Sequence, residues 1–115
     1  MHEPALLAAM LDSLKEPFLF ADRQHVIRYM NQAAARHYKE GTALLGQSLM
    51  ACHNAESQRV ILEVMTALEA GEDERIITNK PEQRIYMRAV RDSAGRLLGY
   101  YERYEPFIPR AASTT

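Results

Sequence analysis

The sequence predicts an α+β domain: a five-stranded antiparallel sheet with helices gathered on one face, preceded by an N-terminal amphipathic helix. Two observations carry this. The helical spacing of the long amphipathic segment ends at Gly71, after which strand-like alternation takes over. The elements also run helix, two strands, a helical middle and three strands. Strands separated in this way most simply form one sheet, with the helical middle covering one face over a hollow.

Pro4 is placed to open the first helix, and Leu6, Leu7, Met10, Leu11 and Leu14 follow it at helical spacing. Residues 1–16 thus form a one-sided helix, whose stripe must be buried on the domain or on a second copy. Pro17 ends it. Phe18–Asp22 and Val26–Met30 read as a hairpin around the polar turn Asp22–His25. Asn31 is a candidate N-cap for a helix over Gln32–Tyr38. Gly41 and Gly46 bracket an irregular stretch with Leu44, Leu45, Leu49 and Met50.

Asn54 is the candidate N-cap of the clearest helix, Ala55–Ala70, in which Ile61, Val64, Met65 and Leu68 share a face, and Gly71 is its stop. Arg75–Thr78, Arg84–Arg91 and Leu97–Glu105 then read as strands joined by turns at Asn79–Glu82 and Asp92–Gly95. Ile85, Met87 and Ala89 share one face, and Arg84, Tyr86 and Arg88 the other. Tyr100, Glu102 and Tyr104 likewise alternate with Tyr101 and Arg103. The core domain is expected over residues 17–107 and a disordered tail over 108–115.

Size and charge exclude several classes. The chain has 115 residues, which suits one domain, and 47% are apolar, enough for a core. A net charge of −1 argues against a nucleic-acid surface, which needs a basic excess. No apolar run is long enough to span a membrane, no signal peptide is evident, and a single cysteine, Cys52, leaves no disulfide framework. A soluble cytoplasmic protein is expected. There is neither a nucleophile motif nor a phosphate-cradling glycine loop, and Asp22, Asp73 and Asp92 all fall in turns or near strand ends, so no enzyme is expected. His2, His25 and His37 are scattered, and His25 and His37 read as exposed, which leaves no second cluster for a structural zinc.

The element order resembles the PAS domain, a sensory fold, from about Leu11 to Phe107. The resemblance rests on Phe18-Leu19-Phe20-Ala21-Asp22, Ile27-Arg28-Tyr29-Met30-Asn31-Gln32-Ala33-Ala34, Leu45-Gly46-Gln47-Ser48, and the hairpin Val90 to Gly99. Cys52-His53-Asn54-Ala55-Glu56-Ser57 is similar to the His-Pro-x-Lys-Ser segment of a PAS subgroup that includes haem-containing, carbon-monoxide-responsive regulators. Asn54 replaces the usual proline, and no cysteine lies between the two ligand positions.

That resemblance implies haem b held by His53, with Met87 as the opposite, displaceable ligand. A neutral imidazole binds metal, and a thioether is a weak iron ligand that a diatomic gas can displace. Leu44, Leu45, Leu49, Met50, Ile61, Val64, Ile77, Ile85 and Leu98 would supply apolar walls. Arg84, Arg88 or Arg59 would meet the propionates. The expected function is sensing of a gas or redox state by exchange of an axial ligand, reported through a homodimer of N-terminal helices. The alternative is a haem-free module that binds a small organic ligand or mediates dimerisation.

Overall fold

A computed structural model describes residues 3–106 of the chain. Helix α1 spans Glu3–Asp12, and strands β1 (Phe18–Asp22) and β2 (Ile27–Met30) follow it. Next come α2 (Gln32–His37), two 3-10 turns at Gly41–Leu44 and Leu49–Cys52, and α3 (Ala55–Glu69). Strands β3 (Glu74–Lys80), β4 (Gln83–Arg91) and β5 (Leu97–Pro106) complete the chain. The expected tail at 108–115, the end of the core domain at Phe107, His2 and the Cys52 thiol lie outside the described residues. Among the described residues no helix is long and apolar enough to cross a membrane.

All five strands join one sheet in the order β2-β1-β5-β4-β3, every neighbour antiparallel. The chain's last strand is therefore the sheet's centre. Register fixes which side chains face inward, because residues directly opposite share a face. Leu19 of β1 and Met87 of β4 both oppose Glu102, while Ala21 and Ala89 oppose Tyr100. This is the buried face, and α3 lays Ile61, Val64, Met65 and Leu68 over it. Each such side chain contributes about 1.5–3 kcal/mol on burial.

Local chemistry accounts for the boundaries. Asn31 accepts from the Ala34 backbone N–H at 2.9 Å, and Asn54 from that of Ser57 at 2.9 Å, which starts α2 and α3. Gly71, with φ +114, terminates α3 in a conformation that a side chain would strain. The expected turn at Asn79–Glu82 is tighter than the sequence suggests: β3 continues to Lys80 and β4 begins at Gln83. Gly99 sits where β1 crosses it so closely that a Cβ would strike the Ala21 carbonyl, which forbids a side chain there.

Candidate ligand-binding cavity

Between the inner face of the sheet and the helical middle lies a cavity of about 660 Å³, within the range of small-molecule sites. Its apolar walls come from every layer: Leu19, Ile77 and Ile85 from the sheet, Val60 and Ile61 from α3, and Leu44 and Leu49 from the 3-10 turns. Ala51, His53 and Ser57 close one side, and Glu40 and Glu56 also reach its lining.

The deep wall is polar. Glu102 is only 4% exposed, and its Oε2 has no hydrogen-bond partner. Its Oε1 accepts from the Tyr104 hydroxyl at 3.4 Å, and Tyr104 is in turn hydrogen-bonded to the Tyr38 hydroxyl. Either phenol can donate in the Tyr38–Tyr104 pair, and the two hydroxyls with Glu102 form one connected chain. Burial pushes the Glu102 carboxyl above the ordinary carboxylate range, and the nearby His53 and the Tyr104 bond oppose that rise. Burial, then the Glu102 charge, pushes the Tyr104 phenol up as well, so it stays a donor.

His53 follows the second 3-10 turn and precedes the Asn54 cap. Its Nδ1 lies 2.8 Å from the Leu49 carbonyl, which can only accept, so Nδ1 carries hydrogen. In a neutral ring this leaves the Nε2 lone pair available. The Gln58 amide donates to the carbonyls of Met50 and His53 at 2.9 and 3.0 Å, fixing the segment that carries the imidazole.

The structure gathers some expected site residues and disperses others. His53, Leu44, Leu49, Ile61, Ile77 and Ile85 all line the cavity. Val64 is buried in the core next to it but is not part of the wall. Met50 is half-buried against the core, whereas Leu45 and Leu98 are 42% and 47% exposed. Met87 is fully buried opposite Glu102 and does not line the cavity. Arg84 and Arg88 lie on the other face of the sheet, as strand alternation requires, and pair there with Glu105 and Glu74. Arg59 is exposed on α3 between Glu56 and Glu63. His25, expected to be exposed, is half-buried with Nδ1 2.9 Å from the Tyr100 hydroxyl. Glu102, Tyr104 and Tyr38 are the polar wall that sequence reasoning missed, along with Leu19 and Val60 among the apolar lining. The one available signal was the shared parity of Tyr100, Glu102 and Tyr104.

Haem needs an axial ligand and cations for two propionates. His53 has the form of an axial histidine, with Nδ1–H held by a backbone carbonyl. The remaining lining does not fit: it contains no Arg or Lys but three carboxyl groups, Glu40, Glu56 and Glu102.

The sequence matches the PAS domain family over residues 7–105. A C-terminal domain from Streptococcus mutans superposes with a TM-score of 0.75 at 19% identity, covering 90% of this chain and 84% of that one. The PAS domain of a Colwellia psychrerythraea protein gives 0.70 at 10% identity, covering 92% and 98%. The Aer2 receptor of Vibrio cholerae, described as a dual PAS-haem oxygen sensor, gives 0.56 at 15% identity, covering 80% and 94%. Among curated proteins, none matches the sequence. With the family matched across most of its length and the fold shared with solved PAS domains, this chain belongs to the PAS domain family.

Proposed function

We propose that this PAS domain is a non-catalytic sensor module that binds a small organic molecule in the cavity, against Glu102 and the Tyr104–Tyr38 pair, and works as a homodimer through α1. The carrying observation is Glu102, a buried residue of the cavity lining whose Oε2 has no hydrogen-bond partner. A buried, unsatisfied polar atom costs about 1–3 kcal/mol, a cost that a ligand donor would relieve. The cavity supplies room and apolar surface beside that atom. The dimer reading is supported by Leu6, Leu7, Met10 and Leu14, which are 44–58% exposed on or just after α1.

The test follows the methyl groups of Leu44, Val60, Ile77 and Ile85 by NMR while a mixed library of neutral, cationic and anionic fragments is added. Binding should move these methyls, and Val60→Trp, which fills the cavity, should abolish the response while the spectrum stays dispersed. A library that leaves all four unmoved would sink the proposal.

A second reading, haem b on His53 with gas or redox sensing, is favoured by the hydrogen bond that orients the imidazole. One absorption spectrum separates the two: uptake of added hemin with a Soret band that His53→Ala removes would favour haem.

A further inference from the structure

Resting on the ligand-cavity reading, we propose that the cavity selects a compact organic cation, a protonated amine or amidine on a small apolar body. Two independent counts lead there. The first is charge. Glu40, Glu56 and Glu102 are lining residues, and among the described residues no Arg or Lys is. Glu56 shares Arg59, which lies outside on the exposed face of α3. Among the described residues no cation is bonded to Glu102. An anionic ligand would meet carboxyl groups without a compensating donor. A cation supplies the charge that the walls lack.

The second count is of hydrogens. The Tyr38 and Tyr104 hydroxyls bond to each other and Tyr104 bonds to Glu102, so both phenols are engaged within the wall. The His53 Nδ1–H is committed to the Leu49 carbonyl. What remains for a ligand includes acceptor capacity on Glu102 Oε2 and, on a neutral ring, His53 Nε2, beside the Ser57 and Thr78 hydroxyls, which can turn to accept as well as donate. A head group with two or more N–H donors satisfies such a wall, and an amidinium matches a carboxylate with two parallel bonds. The apolar walls then hold the body, whose size is bounded by about 660 Å³.

Benzamidine, benzamide and benzoate share one ring and differ in the charge of the head group, so they test the inference on the full chain with the same methyl readout. Benzamidine should bind at least about tenfold more tightly than benzamide, and benzoate more weakly still, tenfold being about 1.4 kcal/mol. Glu102→Gln should weaken benzamidine about tenfold and leave benzamide nearly unchanged, because the amide keeps the shape and loses the charge. The ranking in the unsubstituted protein decides the matter even if that variant does not fold. Benzamide or benzoate binding as tightly as benzamidine overturns the inference and leaves the ligand cavity standing. Movement with none of the three also overturns it, and the broader reading falls too only if the mixed library is equally silent.

Discussion

Glu102 combines full burial with an unused oxygen, and stability and function pull in opposite directions at such a residue. Glu102→Met keeps the length and removes the unsatisfied carboxyl. It is expected to raise the unfolding free energy by about 1–3 kcal/mol, measured by urea denaturation, while abolishing the ligand response. His25, expected to be exposed, is half-buried. Burial holds its imidazole below the ordinary value of 6.5, against the opposing charges of Asp22 and Glu69. The unfolded chain therefore takes up a proton before the folded one does. Stability is full above 6.5 and is lost as pH falls below it. The Tyr100 phenol, pushed upward by burial, keeps its proton and is hydrogen-bonded to Nδ1 at 2.9 Å. Wild type should lose more stability than His25→Asn between about pH 7.5 and 5.5. Asn tolerates the left-handed φ of +66 at this position.

At the scale of elements, one side chain fastens three of them together. The Asn31 oxygen accepts from the N–H groups of Ala34 and Phe18, both at 2.9 Å, and its nitrogen donates to the Leu11 and Glu16 carbonyls at 2.9 and 3.2 Å. It thereby joins the end of α1 and the segment after it, the start of β1, and the first turn of α2. Asn31→Ala removes a cap and strands buried backbone groups, at a cost of about 2–3 kcal/mol in chemical denaturation. Sequence reading recovered the cap alone, because capping is local and written in a four-residue pattern. The other bonds span 13 to 20 residues and have no local signature. Glu102 eluded the sequence for a related reason. On β5 both faces mix tyrosine with charge, so alternation separates Tyr100, Glu102 and Tyr104 from Tyr101 and Arg103 without saying which set turns inward. Only the pairing of β5 between Leu19 and Met87 decides it. The arginines of β4 were separable by alternation, and their assignment to a cofactor neglected the face that alternation had already given them.

Across the whole molecule, the order of strands and helices was legible because the change of hydrophobic period at Gly71 divides the chain cleanly. The hairpin neighbours β1/β2, β3/β4 and β4/β5 were legible too, but the β1–β5 pairing was not, since it is a contact bridging most of the sequence. The exposed stripe of α1 is a whole-molecule matter too, because nothing in the described residues covers Leu7 and Met10, which are 58% and 57% exposed. Leu7→Glu combined with Met10→Glu is expected to shift the protein from dimer to monomer in sedimentation velocity, with little change in monomer stability. An unchanged sedimentation coefficient would place any dimer contact elsewhere.

The sheet order also bears on how the protein behaves in crowded solution. Among the described residues, strand β3 pairs only with β4, which leaves a seven-residue margin containing Ile76, Ile77 and Thr78, a β-branched run of the kind that seeds intermolecular zippers. Its register breaks between Ile76 and Thr78, and Glu74, Arg75 and Lys80 flank that break with charge. A kinked margin carrying charges at both ends offers an incoming copy no straight template, so the domain can keep an open sheet edge and still resist clumping.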